Sequence, residues 1–210
     1  MKIQKHIETS LKPVFKVWVR DEQYNFITLD LPQTDLNAAL DSSGLTPPYI
    51  LITDATSGKR LVNALAFPCL GTEEGVALDY RFKVDRLSVD FFRLFVSIYG
   101  TLEDFNKAAH ILAGWTAEQF TDGDKLAQTG LIEDLEQLDG IIKSGGYSID
   151  DGRDERDIAR DYLENLDISL TGLYEYIDLD ALGGRLVRDG DDGGDFYEID
   201  GRRVYVRINS

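Results

Sequence analysis

Residues 118–200 hold 24 acidic and 7 basic side chains, a net of −17, and no other feature limits the folding of this chain so strongly. Carboxylates without partners are too costly to bury. The stretch is therefore restricted to short amphipathic elements that turn their acids to water. Residues 1–117 hold 14 acidic and 12 basic groups, a net of −2, and the last ten residues add three arginines, giving −16 for the chain. A field of this sign repels nucleic acid and draws proteins that have basic surfaces. The hydrophobic fraction of 43% is high enough for a packed core.

The chain reads as three parts. In the first, VFKVWVR (Val14–Arg20) and YNFITLD (Tyr24–Asp30) alternate as strands around a short DEQ loop, which predicts a hairpin. Thr34–Leu40 reads as a short helix capped by Thr34 or Asp35. Tyr49–Asp54 and Gly75–Val84 read as further strands. The second part is helical. Ser88 precedes a run with Phe91, Phe92, Phe95, Val96 and Tyr99 at helical spacing, ended by Gly100. Thr101 opens a helix with Phe105, Ala108, Ala109 and Leu112 on one side. Thr116 and Gln119 match a capping box, and Leu131, Leu135, Leu138 and Ile142 share one face of the next helix. Helices this short need mutual packing to be stable. In the third part SGGYSIDDG reads as a turn cluster, Asp154–Leu166 and Ser169–Tyr176 as helices, and GGRLVRDGDDGGD as an acidic loop. FYEIDGRRVYVRI reads as a hairpin with an Asp200–Gly201 turn. The expected class is α+β, with a small sheet and helix over residues 1–86, a helical subdomain over 87–145 and an acidic α+β subdomain over 146–210.

The helix Asp154–Leu166 carries the most distinctive pattern. Ile158, Tyr162, Leu163 and Leu166 are its apolar positions. Asp154, Asp157, Asp161 and Glu164 follow at steps of 3, 4 and 3, which keeps all four on one face. With a rise of ~1.5 Å per residue these carboxylates recur every ~4.5–6 Å. Like charges so close cost a helix a few tenths of a kcal/mol per pair, offset in part by Arg156 and Arg160. Glu133, Glu136, Asp139, Asp150 and Asp151 precede the stripe, and Asp178, Asp180, Asp189, Asp191, Asp192 and Asp195 follow it. Duplex DNA is a similar row, with one phosphate charge per ~1.7 Å of axis. Two copies of the chain would carry −32, the charge of about 16 base pairs over roughly 54 Å. Such an array fits the basic groove of a DNA-binding protein. A merely solubilising surface predicts a more even spread than −2 against −17.

Other function classes find little footing. No run of 18 apolar residues occurs, so no membrane span is expected. MKIQKHIETSLKPVF is basic without an apolar signal core. Cys69, the single cysteine, excludes an intramolecular disulfide and fits a reducing cytoplasm. DGDDGGD (Asp189–Asp195) is rich in oxygen ligands but fails the EF-hand pattern, with Gly193 at an acidic position and no glutamate at the twelfth. One cysteine with the distant His6 and His110 does not make a zinc site. No Gly-rich phosphate loop, nucleophile elbow or Cys–His context is present, so neither an enzyme nor a cofactor is expected. His110 reads as a helix residue beside the core, and Trp18, Phe92 and Trp115 as core aromatics.

DIARDYLENL (Asp157–Leu166) followed by LYEYIDLDALGGRL (Leu173–Leu186) resembles the ArdA antirestriction proteins, in which an ARYYIEE-like helix precedes YIDYxAYGRDL, an acidic loop and a terminal hairpin. Ala159, Arg160, Tyr162, Tyr176, Ile177, Asp178, Ala181, Gly183 and Leu186 follow that order. VWVRDEQYNFITLDLP is similar to a shortened form of the family's opening strands. The resemblance implies an elongated three-part molecule that dimerises through its C-terminal domain and imitates bent duplex DNA. Its implied target is the DNA-binding core of type I restriction-modification enzymes. Tyr174 and Ile177, beside the family motif, are candidate dimer contacts. An acidic adaptor that grips one basic protein through shape and hydrophobic hot spots is the other reading of the same charge.

Overall fold

A computed structural model describes residues 5–11, 13–52, 77–78, 87–95, 101–166, 176–191 and 193–209. Residue contacts gather the chain into two units, Met1–Asp139 and Gly140–Ser210.

The first unit is built on a five-stranded sheet. β1 (Lys5–Ile7) runs parallel to β3 (Phe26–Leu31), and β3 pairs antiparallel with β2 (Phe15–Arg20), setting Val17 opposite Leu29 and Trp18 opposite Thr28. This is the expected hairpin. Its loop is organised by the fully buried Asp21, whose carboxylate accepts from the Asn25 backbone (2.9 Å), the Asn25 side chain (2.8 Å) and the Thr46 backbone (3.1 Å). α1 (Leu36–Asp41) is capped by Asp35, one of the two residues expected there. β4 (Ile50–Ile52) and β5 (Ala77–Leu78) share the other edge of β2, along Trp18–Arg20 and Phe15–Lys16. The remainder of the two strands expected over 49–54 and 75–84 lies largely outside the described residues.

Three helices follow: α2 (Val89–Arg93), α3 (Leu102–Leu112) and α4 (Ala117–Gln128). Ser88, Thr101 and Thr116 cap them, the last two in reciprocal capping boxes with Asp104 and Gln119. Their inward faces are aromatic. Phe15 of the sheet meets Phe105 edge-on at 5.6 Å, and Phe91 meets Trp115 edge-on at 6.2 Å. Gln33 ties the sheet to α3, since its backbone N–H donates to Asn106 and its carbonyl accepts from the Asn106 side chain.

α5 (Leu135–Ser144) runs across the boundary between the units. Leu131, expected on its apolar face, is exposed and precedes the helix. The Asp134 side chain accepts from the Gln137 backbone at 2.8 Å, and the helix starts at Leu135, four residues after Leu131. The stretch expected as a turn cluster contains β6 (Tyr147–Asp150). Gly145, at φ 67°, ends α5, and Tyr147 and Ile149 then alternate inward against exposed Ser148 and Asp150.

The second unit continues with α6 (Glu155–Asn165), α7 (Leu179–Asp189), β7 (Gly194–Ile199) and β8 (Arg202–Ile208), in a sheet ordered β6-β8-β7. Asp200 (φ 50°) and Gly201 (φ 73°) make the two-residue turn expected between β7 and β8. α7 corrects the sequence reading of residues 183–189 as loop. Two adjacent glycines lower helix propensity by about 1 kcal/mol each relative to alanine, but Gly183 is where α7 crosses α6, and a Cβ there would overlap the Glu155 backbone carbonyl. Gly190, at φ 76°, ends the helix. The helix expected over Ser169–Tyr176 falls outside the described residues except for Tyr176.

Seven helices and eight strands in two sheets, counted among the described residues, make this an α+β chain. The helical stretch expected as its own subdomain divides at Asp139, so α2, α3 and α4 belong with the first sheet.

Candidate functional site: an acidic surface

α6 is seated by its buried face. Ile158 packs with Leu186 of α7 and Tyr205 of β8, and Leu182, Val187 and Phe196 close around them. Ala159 and Leu163 are buried as well. Asp154, Asp157, Asp161 and Glu164 occupy the opposite side, exposed except for the half-buried Asp157. The spacing of 3, 4 and 3 thus yields a single outward face.

Asp154 caps α6 by accepting from the Asp157 backbone (3.0 Å), and Asp157 accepts back from the Asp154 N–H. Asp157 also receives Arg160 Nη1 at 3.0 Å, and Asp161 receives Arg153 Nη2 at 2.6 Å. Arg156 reaches Asp180 on α7 (3.0 Å), and Asp189 sits 3.7 Å from both Arg185 and Arg188. Glu136 pairs with Lys107 at 2.5 Å. Asp178 caps α7, Asp150 accepts from the Gly152 backbone, and Asp195 accepts from the Phe196 N–H. Asp151 is exposed. Glu133, Glu164 and Asp191 are exposed and hold no ion pair among the described residues. Asp192 and Tyr174 lie outside the described residues, and Ile177 is half-buried. Asp139 differs from the rest. It accepts the buried Trp115 indole N–H at 2.8 Å and so serves the core of the first unit.

At least five of the candidate carboxylates are therefore paired with a lysine or arginine. These pairs are solvent-exposed, where each is worth about 0–1 kcal/mol, so a cation on a partner can compete for them. The unit boundary also redistributes charge. Residues 118–139, with seven acids and one base, belong to the first unit, whereas 140–210 hold 17 acids and 9 bases, a net of −8. The first unit, with the remaining 21 acids and 13 bases, carries −8 too.

Two ion pairs were not apparent in the sequence. Glu155 forms a two-pronged pair with Arg203 of β8, which holds its carboxyl below the usual glutamate range. Arg203 in turn lies over the Phe196 ring at 3.7 Å. Arg153 lies over the Tyr205 ring at 5.0 Å while it binds Asp161. Contacts across 48 and 8 residues leave no periodic signal to read.

His110 is exposed on α3 and donates from Nε2 to the Gln33 carbonyl oxygen at 3.1 Å. Among the described residues no group of three or more His, Cys, Asp or Glu is placed to hold a metal ion, and no helix is long and apolar enough to cross a membrane. Compared with known proteins, the chain matches no family model, no curated protein and no solved structure.

Proposed function

We propose that this chain is an antirestriction protein, a decoy whose carboxylates imitate DNA phosphates and occupy the DNA-binding groove of type I restriction-modification enzymes. The observation that carries the reading is the outward row of Asp154, Asp157, Asp161 and Glu164 on α6, opposite buried Ile158, Ala159 and Leu163. The resemblance of Asp157–Leu186 to the ArdA proteins names the target. Such a decoy works in the cytoplasm, as a homodimer, and catalyses nothing. Its binding is electrostatic and must weaken steeply with salt. Plating unmodified phage on a restricting host tests it. Expression of the chain should raise the plating efficiency toward that of a non-restricting host, and no change would end the reading.

A second reading has its own observation. Tyr176 is 84% exposed, and Tyr162 and Leu166 are also exposed on the second unit. An acidic adaptor could use such side chains as hot spots for one basic protein. A single Tyr176→Ala change would then remove most of the affinity, and salt would matter little.

A further inference from the structure

The ion pairs of the second unit are not alike in who covers whom. In Arg203–Glu155 the arginine side chain is 59% exposed and the glutamate 28%, so the cation caps the acid. Arg160 and Arg185 are likewise more exposed than Asp157 and Asp189. A partner must push these cations aside to reach the carboxylates. Arg153–Asp161 is the reverse, with the arginine at 21% and the aspartate at 51%, a far wider gap than the 56% and 65% of Arg156–Asp180. Arg153 lies against the Tyr205 ring, and Tyr205 is itself packed edge-on against Phe196 at 5.3 Å. The guanidinium thus holds Asp161 Oδ2 from beneath, while Oδ1 accepts no hydrogen bond among the described residues.

We propose that Arg153 is a positioning residue, which fixes Asp161 as a pre-oriented carboxylate open to a guanidinium or ammonium group of the bound partner. This rests on the decoy reading and adds to it one anchor point within the row. A carboxylate already held in one rotamer loses less side-chain freedom when it meets a cation. Its counter-ion does not have to leave.

The idea separates cleanly from bulk electrostatics. Arg153→Gln makes the chain more negative, so a charge-only decoy should bind a basic groove more tightly. A positioning role predicts the opposite. The test is competition of the full chain against duplex DNA for a type I methyltransferase core, with wild type, Arg153→Gln, Arg153→Lys, Asp161→Asn and the Arg153→Gln/Asp161→Asn double variant. Arg153→Gln and Asp161→Asn should each weaken competition about threefold to fivefold, and the double variant should match Asp161→Asn alone. Arg153→Lys, which keeps a cation within reach of Asp161, should recover part of the loss. A purely structural role for Arg153 would add its loss to that of Asp161→Asn and would overturn the proposal. Unchanged or tighter competition by Arg153→Gln would overturn it as well. Failure of the wild type to displace DNA would remove the decoy reading and this inference together.

Discussion

Gly183 and Gly184 are neighbours in α7 under opposite constraints. A Cβ at 183 would meet the Glu155 backbone, while at 184 it would meet nothing within 4 Å. Gly183→Ala should therefore cost about 1–3 kcal/mol by overpacking the α6–α7 crossing, and Gly184→Ala should gain about 0.5–1 kcal/mol from helix propensity. Urea unfolding of the two variants checks both signs. Asp139→Ala should cost about 1–3 kcal/mol by orphaning the Trp115 indole, yet leave partner binding nearly unchanged. That pairing of effects distinguishes it from the outward acids. Periodicity found the row on α6 because helical spacing alone decides which residues share a face. It could not separate Asp139 from Glu136, because which acid meets Trp115 depends on how three helices pack.

The short helices depend on their ends, and here the sequence spoke clearly. Ser88, Thr101 and Thr116 each cap at the position where the sequence opens a helix, because the orphan N–H groups of a first turn need an acceptor. β6 and α7 escaped notice because glycines and acids flank them, and tertiary contacts outweigh local preference at both places. The ion pairs between elements give the fold a pH dependence. Lys107 lowers the Glu136 carboxyl, and Arg203 lowers that of Glu155, each from an ordinary value of 4.5. Depressed carboxyls contribute stability that is complete above their unfolded value and is lost as pH falls through the folded one. The melting temperature should accordingly drop as pH is taken from about 6 to about 3. Glu155→Gln should flatten that profile, and an unchanged slope would show that the Arg203 pair contributes nothing.

Over the molecule as a whole the charge of −16 falls equally on two units, −8 on each, though the sequence confines nearly all of it to residues 118–200. Because α4 and the start of α5 belong to the first unit, the acidic stretch is spread across both. An inhibitor working through distributed charge should tolerate single neutralisations such as Glu164→Gln with less than about a twofold loss, while blocks of them act together. The most direct measurement is salt-dependent competition with duplex DNA for a type I methyltransferase core, comparing wild type with Asp154→Asn/Asp157→Asn/Asp161→Asn/Glu164→Gln. If the α6 row stands in for phosphates, log affinity of the wild type falls linearly with log salt, and the fourfold variant binds at least about tenfold more weakly with a shallower slope. Equal affinity and equal slope for the two proteins would contradict it.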